Sequence, residues 1–582
     1  MFQRVVVIVL ALGAGLAGAY SLQLFGTRDG ADETTPQTRP KPAPTSGRWG
    51  GAADSDAGSA ALGSDEVDFA ASLVPLDAFL FVRAESMSSV ESLIQRAAGA
   101  VDPSVAAMLN GRGILEMMLG SIGGDSSQID WDRPLCFAMS MPGGTTQPVP
   151  TAILPVRSPE LFLRDLRTPP GLAEPESRGD YVGISFGPAY RLGTQLSPIA
   201  GDMPPGSVAV RLRMAPLRPL LEEGLRKARE MESLMGDVTM PLAYEAGRRF
   251  GEDLIMDLEE LELGIDLDDD FLEVFYGGGL VDGSRFAMPN PEAPGSLDAV
   301  AGLISSEDDL VLMTSWSREF LEGPATDFFA FFSELFEAEG QEAAQLESLE
   351  RAVEYLPMLG NECAVFGNFE VGNTRLAAVY RPPATGPMIG GILDWIEDAG
   401  MEEVLVEGPV EEELDGGRAV RFRVSFAGAD LGDEAARFFE GVGLFFGSDE
   451  IEMMLVGRDG RLAMFVGGDE SWREESIARM GSEAAPSDVA GLPEALQFAR
   501  GGSPSFLYSM DVNVILREMV RGIALHMGLD PTEELAELER SIGSEPVRIV
   551  SWGSFKGERF EGGTSLDWER FAQMMSALQG GF

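Results

Sequence analysis

The sequence predicts an α+β protein with two diverged copies of one module, an antiparallel sheet with helices, behind an N-terminal membrane segment and a disordered tether. Three observations lead to this prediction. The chain begins with an uncharged apolar run, continues in a stretch rich in Pro, Ser, Gly and Ala, and then repeats one order of strand and helix patterns. We place the four parts at residues 1–26, 27–66, 67–303 and 304–582. Hairpins mixed with helices are typical of the α+β class.

The first part carries the features of an export signal. Arg4 precedes an apolar run from Val5 to Phe25, which is long enough to cross a bilayer that takes about 20 residues. Ala17-Gly18-Ala19 is a small-x-small site that suits cleavage by a signal peptidase. Residues 1–26 are therefore predicted to be a signal peptide or a membrane anchor. In both cases we expect an exported protein, either anchored in the inner membrane and facing the periplasm or secreted to the periplasm.

The second part, residues 27–66, is predicted to be a disordered linker. It lacks periodic apolar residues and cannot bury enough apolar surface to fold. This context also decides how to interpret Gly13, Gly15 and Gly18, which match the dinucleotide-binding pattern GxGxxG. That pattern requires a preceding strand and a following amphipathic helix. Because the chain runs into the linker instead, we do not interpret these glycines as a cofactor site.

The third and fourth parts share one order of elements. Each opens with a strand that leads into a helix, Ala78–Arg83 in the first copy and Asp309–Thr314 in the second. A pair of strands, a short helix, a second strand-helix unit and a closing hairpin follow in both copies. An order that recurs over so many elements indicates that one module was duplicated.

Further coincidences support the duplication. The chain has two cysteines, Cys136 and Cys363, and they fall in corresponding predicted strands. The closing hairpins align when Gly264 is set on Gly553. The second copy is longer than the first, and we place the additional residues in an insertion at about 400–500.

Pro75-Leu76-Asp77-Ala78 leads into the strand that ends at Arg83, so that a proline and an acid precede a strand that enters a helix. In this respect the chain resembles a family of secreted bacterial tandem-repeat proteins of unassigned function. The resemblance covers most of residues 70–575. The second copy departs from it, because Glu307-Asp308-Asp309 replaces the proline. The resemblance implies an exported, membrane-tethered protein, and it implies no activity and no site residues.

The composition excludes several classes of site. Asp and Glu number 94 against 43 Lys and Arg, and the formal net charge of −51 repels nucleic acid and anionic membrane surfaces. We expect membrane contact through the N-terminal segment only. One histidine, His526, and two cysteines exclude multi-histidine and four-cysteine metal sites. We therefore predict no metal and no cofactor. We also predict that Cys136 and Cys363 form no disulfide, because they lie in separate copies.

Two motifs resemble patterns found in enzymes, one of serine hydrolases and one of nucleotide-binding loops. Gly183-Ile184-Ser185-Phe186-Gly187 matches the GxSxG pattern of serine hydrolases, for which His526 would be the base. The segment alternates like a plain strand and Pro188 follows it, so we favour a strand over a nucleophile on a sharp turn. Gly441-Val442-Gly443 with Gly447 would be a loose nucleotide loop. Because it follows a helical pattern rather than a strand, we favour a flexible turn.

Two acidic runs and one phenylalanine-rich segment each have two possible roles. The acidic runs Asp266–Asp270 and Glu411–Glu413 favour hairpin surfaces over weak cation sites, because the spacing of a calcium loop is absent. The phenylalanine-rich segment 328–336 is apolar on more than one face of a helix. Buried core is the favoured interpretation, and the lining of a cavity for a lipid-like ligand is the alternative.

From these observations we predict no catalytic residue and favour a non-catalytic binding or structural protein of the cell envelope with an unknown ligand. A periplasmic carrier or sensor of lipid-like apolar ligands is the first alternative. A hydrolase of unrecognised type is the second, and the sequence leaves enzyme activity open. The expected partner is an envelope protein or an apolar ligand, and not nucleic acid.

Overall fold

One antiparallel sheet of 18 strands runs through both predicted copies. The structure is a computed structural model of the chain, and the described residues belong to one compact unit, Arg48–Phe582. It describes residues 69–101, 111–141, 148–166, 173–185, 187, 197–201, 203–234, 252, 255–267, 271–284, 287, 297–305, 308–315, 360, 362–398, 405–414, 417–425, 444–448, 450–481, 505–526 and 546–581. The antiparallel sheet with helices confirms the predicted α+β class.

The strands of the first half of the chain are β1 (Ala78–Ala84), β2 (Leu135–Ser140), β3 (Val149–Pro155), β4 (Glu176–Arg178), β5 (Tyr181–Ser185), β6 (Val208–Arg213), β7 (Leu258–Leu267) and β8 (Phe271–Leu280). Those of the second half are β9 (Leu310–Ser315), β10 (Glu362–Asn368), β11 (Arg375–Tyr380), β12 (Leu405–Leu414), β13 (Gly417–Ser425), β14 (Glu450–Arg458), β15 (Arg461–Gly467), β16 (Phe506–Asp511), β17 (Arg548–Lys556) and β18 (Arg559–Asp567).

The order of the strands across the sheet follows from their pairings. From one edge to the other it is β4-β5-β3-β2-β1-β6-β7-β8-β18-β17-β16-β9-β10-β11-β15-β14-β13-β12, and every pair is antiparallel. The pairing of β8 with β18 crosses the predicted boundary at residues 303/304. We call this place, where the last strand of each half meets the other, the junction.

Helices cover the sheet between these strands. They are α1 (Met87–Val101), α2 (Gly111–Ser121), α3 (Pro159–Asp165), α4 (Arg218–Leu234), α5 (Asp298–Ala301), α6 (Thr385–Asp398), α7 (Glu470–Arg479), α8 (Val512–His526) and α9 (Trp568–Gly581). Capping side chains explain where two of the helices begin. The carboxylate of Asp469 accepts a hydrogen bond from the backbone N of Trp472 at 2.8 Å and caps α7. The carboxylate of Asp511 accepts a hydrogen bond from the backbone N of Asn513 at 3.0 Å and caps α8.

The registers divide the sheet into two faces. Ala209, Phe275 and Met313 lie on one face, because direct cross-strand partners connect them through β7, β18, β17 and β16. We call this the front face and the opposite one the back face. The front face carries one apolar core in each half, around Phe81 and around Phe465. The back face carries further cores, of which the one at the junction packs against Trp568 of α9.

The two ends of the sheet are protected in different ways. At one edge, β4 has only 3 residues. At the other, the edge strand β12 contains Pro409 and a register shift between Glu407 and Val410, and it carries the glutamates 411–413. Proline, irregular pairing and charge all oppose the addition of a further strand. The protein is therefore guarded against edge-to-edge aggregation.

Two alignments from the sequence need correction. Gly264 lies on the front face, where its row of cross-strand partners reaches Trp552, so the neighbouring Gly553 lies on the back face. The closing hairpins therefore correspond with a shift of one residue. By the same argument Cys136 and Cys363 lie in corresponding strands, β2 and β10, but on opposite faces. Both cysteines are buried and free, as predicted.

The order Arg458-Asp459-Gly460 between two apolar runs favours a hairpin turn. It forms a tight hairpin here, with φ of 50° at Asp459 and 73° at Gly460. Among the described residues the first half has eight strands and the second has ten, and the additional strands β12 and β13 lie in the range where we expect the insertion. No helix among the described residues is both long and apolar enough to cross a membrane. The apolar run from residue 5 to residue 25 and the linker 27–66 lie outside the described residues.

Candidate functional site

A recess in the side-chain layer lies on the front face at the junction, where strand glycines form the floor and side chains of the adjacent strands lie over it. A Cβ on Gly277 of β8 would lie 3.3 Å from the Oε2 atom of Glu262, whose side chain leans over from β7. A Cβ on Gly563 of β18 would lie 2.8 Å from the Nε1 atom of Trp552, which leans over from β17. Glycine within a strand allows such close approach. The two strands at the junction therefore form a floor over which a carboxylate and an indole extend from opposite sides.

One wall of the recess is a buried ion pair. The Nη2 atom of Arg211 lies 2.7 Å from the Oε1 atom of Glu262, and their side chains are only 6% and 1% exposed. Arg211 also donates to the backbone carbonyls of Ile199, at 3.2 Å, and Gly201. A buried carboxylate without a counter-ion would be strongly destabilising. Arg211 therefore neutralises Glu262 and ties the segment around residue 200 to the sheet.

The opposite wall combines an indole with a hydroxyl and a second carboxylate. Trp552 is 5% exposed, and among the described residues its indole N–H meets no acceptor. Ser554 is 3% exposed and lies directly opposite Glu561 on the neighbouring strand. The α-carbon of Glu561 is 3.8 Å from the position of a Cβ on Gly277. A polar wall therefore faces the Glu262 carboxylate across the glycine floor.

The two ends of this cluster differ in exposure. Phe275, which is 3% exposed, lies at the buried end and pairs directly with Gly563. Four residues further along β8, a Cβ on Gly279 would meet only the Oε2 atom of Glu259, at 3.9 Å. The partner of Gly279 across the junction is Arg559, which is exposed. We call this cluster the junction recess and define it by Arg211, Glu262, Phe275, Gly277, Gly279, Trp552, Ser554, Glu561 and Gly563.

A further pair of carboxylates consists of Glu85, which follows β1, and Asp266 of β7. Burial raises the pKa of Glu85, the neighbouring Asp266 raises it further, and Arg83 opposes both effects. The hydroxyl of Ser207 donates a hydrogen bond to Asp266. Asp266 is the first residue of the predicted acidic hairpin, and the structure places it in β7 with a protein partner. Residues 268–270 lie outside the described residues.

The serine of the GxSxG motif lies in a strand. Ser185 ends the strand β5 and is 2% exposed, and its hydroxyl lies 3.4 Å from the backbone carbonyl oxygen of Gly187. A nucleophile must stand on an exposed turn, so the favoured interpretation as a strand is confirmed. His526 ends α8, which follows β16 in the second half, whereas β5 lies next to one edge of the first half. The structure does not bring the two residues together.

Described residues of the other clusters are engaged in ion pairs or turns. On β12, Glu411 pairs with Arg418, and Glu412 lies 3.2 Å from Arg421. Gly447 is a turn residue with φ of 74°, while residues 441–443 lie outside the described residues. The phenylalanine-rich segment 328–336 lies outside them as well. Among the described residues, no group of three or more His, Cys, Asp or Glu could hold a metal ion.

Two neighbouring acids precede the first strand of the second half, of which Asp308 is buried and Asp309 is half-buried. Asp308 is 4% exposed and accepts from the backbone N of Ser305 at 2.7 Å. Burial raises the pKa of Asp308 to about 6, although this hydrogen bond and Arg479 lower it. Asp309 accepts from the side chain of Asn368 at 3.2 Å. The sequence pointed to these acids only as the place where the second copy departs from the proline of the first.

The sequence analysis did not find the junction recess, although one signal of it was present. Gly277-Gly278-Gly279 interrupt a strand with three residues that have no side chain, and such glycines mark a close approach. The chain matches no family model, no curated protein and no solved structure. Its function therefore has to be argued from this geometry.

Proposed function

We propose that the chain is an exported, non-catalytic binding or structural protein of the bacterial envelope, tethered by its first 66 residues. The observation that carries this proposal is the junction recess. Its walls offer hydrogen-bond donors, acceptors and an aromatic ring, and its most buried carboxylate is neutralised by Arg211 at 2.7 Å. Groups that are fixed in this way suit recognition of a ligand more than proton transfer. Export rests on Arg4, the apolar run from Val5 and the linker.

The proposal includes the duplication. The order β5-β3-β2-β1-β6-β7-β8 in the first half corresponds to β15-β11-β10-β9-β16-β17-β18 in the second. The closing hairpins also agree in length, since Leu267 pairs with Leu272 and Phe555 with Phe560. A shared order, antiparallel pairing and equal turns support descent from one module. The two halves then meet at the junction as two like partners.

The location is tested with a reporter that functions only outside the cytoplasm, fused after Glu66. We expect an active reporter, and we expect a fusion that lacks residues 1–26 to be inactive at the same level of expression. An inactive reporter on the full fusion would contradict export.

The binding role is tested by cross-linking the full chain in intact cells and identifying what is captured. We expect a defined envelope partner or ligand, and we expect its capture to fall when Gly279 is replaced by Leu at the more exposed end of the recess. The matched control is Gly386→Leu, since a Cβ on Gly386 also meets nothing within 4 Å. Equal capture by both variants would separate the function from the recess. The carrier of apolar ligands and the hydrolase rest on the sequence alone.

A further inference from the structure

We propose that the back face of the junction is a docking site for an amphipathic helix of a partner protein, with aromatic residues one turn apart on its apolar side. The site is a surface patch on the two hairpins that meet at the junction, on the opposite face of the sheet from the junction recess. We call it the junction patch and define it by Leu212, Leu261, Tyr276, Gly278 and Phe560. The inference goes beyond the proposed function, because it depends neither on export nor on the recess.

The junction patch is apolar and reaches the surface of the protein. Leu261 of β7 pairs directly with Gly278 of β8, which in turn pairs with Phe560 of β18. Leu261 is 38% exposed, and Leu212, Tyr276 and Phe560 are half-buried. The ring of Phe560 lies over Gly278, since a Cβ on this glycine would be 2.7 Å from the Cζ atom of the ring. Contiguous apolar surface of this kind marks sites of protein interaction.

The two halves are related at the junction by a local two-fold axis. When the closing hairpins are aligned with Gly264 on Trp552, Phe275 corresponds to Gly563. These two residues pair directly across the junction, so that β8 and β18 pair about a residue and its own counterpart. Antiparallel pairing of two like strands in this way is the arrangement of an isologous interface. A contact on one side of the axis therefore defines an equivalent place on the other side.

On one side of the axis, α9 covers the back face. Trp568 of α9 forms one buried core with Leu272 and Leu566, which are 6% and 2% exposed. Ile549 packs against this core, and it lies in one row of cross-strand partners with Leu566 and Leu272. Phe571 also packs there, with 5.8 Å between the ring centroids of Trp568 and Phe571. This side shows how a helix with two aromatic residues binds the paired hairpins.

The junction patch is the equivalent place on the other side. The two-fold relation carries the row under α9 onto the row Leu261, Gly278 and Phe560. Among the described residues, the chain after β8 forms no counterpart of α9 and leads to α5, whose Val300 and Ala301 lie in the front-face core. The patch therefore has the position and the apolar surface of a helix site, while Leu261 stays exposed. Apolar surfaces of this kind bind the apolar side of an amphipathic helix.

The chemistry of the partner helix follows from α9 and from charge. Trp568, Phe571 and Ala572 pack on the core at the spacing of one helix face. Glu569 and Arg570 cancel, so that α9 carries no net charge. The formal net charge of −51 repels an acidic helix. The partner helix is therefore neutral or basic, with aromatic residues at positions i and i+3.

The test uses a fluorescein-labelled peptide with the sequence of α9, residues 568–581, as the probe. The full chain is reconstituted in phosphatidylcholine nanodiscs, because detergent would compete for an apolar surface, and binding is followed by fluorescence anisotropy against empty nanodiscs. We expect saturable binding. Leu261→Glu would place a charge under the helix and should weaken binding at least about tenfold. The matched control is Leu161→Glu on α3, where the leucine is 45% exposed, and it should leave the affinity unchanged.

A second measurement tests the aromatic residues of the helix. The peptide with Trp568→Ala should bind about tenfold more weakly, because a central aromatic residue carries much of the binding energy of an interface. Melting curves establish that both leucine variants are folded. If Leu261→Glu does not fold, Leu261→Thr takes its place, since it keeps a β-branched residue in the strand, and it should weaken binding about threefold.

Three results would overturn the inference. The first is the absence of saturable binding of the α9 peptide. The second is binding that Leu261→Glu leaves unchanged, which would mean that the peptide exchanges with α9 or docks elsewhere. The third is a dimer of the unliganded chain that Leu261→Glu, and not Leu161→Glu, converts to a monomer in analytical ultracentrifugation, which would assign the patch to a second copy of the chain. The proposed function stands or falls separately, by the export reporter and by capture at the recess.

Discussion

The two halves of the sheet share a strand order and differ in what they bury. In the first half, Arg211 and Glu262 form a charged pair on the front face, where the second half has Ser509 and Val550. The next pair along the same strands differs as well. It joins Ala209 to Gly264 in the first half and Leu507 to Trp552 in the second. The same backbone pairing therefore accepts charged, small or large side chains.

This difference shows where the sequence is constrained by the fold and where it is free. The strand pairing depends on backbone hydrogen bonds and on apolar residues that alternate with period two, and both halves provide these. The identity of the front-face residues at the junction is not fixed in this way. Residues that only one half carries are therefore the place to look for function, and the following predictions test that comparison.

The largest effect is expected when the buried pair of the first half is broken. Arg211→Ser leaves the carboxylate of Glu262, at 1% exposure, without its counter-ion. We expect a loss of about 3–5 kcal/mol in the free energy of unfolding, since an uncompensated buried charge is involved. Urea unfolding followed by circular dichroism measures it.

The double variant Arg211→Ser/Glu262→Val sharpens the comparison, because it copies Ser509 and Val550 into the first half. We expect it to regain most of the stability that the single variant loses, because no charge stays buried. A double variant as unstable as the single one would show that the two halves are not interchangeable at this place.

The next effect concerns the acids that precede the first strand of each half. Asp77 is exposed, whereas Asp308 is 4% exposed and its pKa is raised from 3.8 to about 6, chiefly by burial. Because folding favours the protonated form, this group stabilises the fold fully below about pH 4, and the stabilisation is lost as the pH rises through about 6. We expect Asp308→Asn to increase stability at pH 8 by about 2–3 kcal/mol and to have little effect at pH 4.

Urea midpoints at pH 4, 6 and 8 measure this dependence. The amide introduced by Asp308→Asn keeps an oxygen that accepts from the backbone N of Ser305, so the hydrogen bond at 2.7 Å is not lost. The matched control is Asp77→Asn, which should change no midpoint. A pH dependence that survives Asp308→Asn would place the titrating group elsewhere.

The comparison also shows how far sequence reasoning reaches. The class, the hairpins and the antiparallel strands were predictable, because they are encoded locally in alternation and in turns such as Asp459-Gly460. The face of the sheet on which each residue lies was harder to predict. A shift of one residue in the alignment of the closing hairpins makes Trp552, and not Gly553, the counterpart of Gly264. The junction recess was not predictable, because Glu262 and Trp552 meet only through the pairing of β8 with β18, which no local pattern specifies.

A smaller effect is expected from the two front-face glycines at the junction. A Cβ on Gly264 would lie 2.0 Å from the backbone carbonyl oxygen of Pro205, whereas one on Gly563 would lie 2.8 Å from the side chain of Trp552. Backbone yields less readily than a side chain, so we expect Gly264→Ala to lower the free energy of unfolding by about 2 kcal/mol and Gly563→Ala by about 1 kcal/mol. Thermal and urea unfolding measure both. Gly563→Ala should cost less in a chain that already carries Trp552→Leu than in the unchanged chain. Equal effects of the two alanine variants would contradict the difference between the halves.

The smallest effect concerns arginines on the surface of each half. Arg421 reaches three glutamates of the second half, Glu412 at 3.2 Å, Glu452 at 3.5 Å and Glu470 at 2.7 Å, and so connects the hairpin β12–β13 to α7. In the first half Arg164 pairs with Asp165 of its own helix at 3.0 Å, and both side chains are at least half exposed. Networks stabilise more than single exposed pairs, so we expect Arg421→Gln to lower the free energy of unfolding by about 1 kcal/mol and Arg164→Gln to give no measurable change. Urea midpoints in dilute buffer and in 1 M sodium chloride measure this, and salt should reduce the effect at Arg421 because it screens exposed charges. An effect of Arg421→Gln that is equally large in molar salt would show that the guanidinium acts through packing against α7 rather than through its charge.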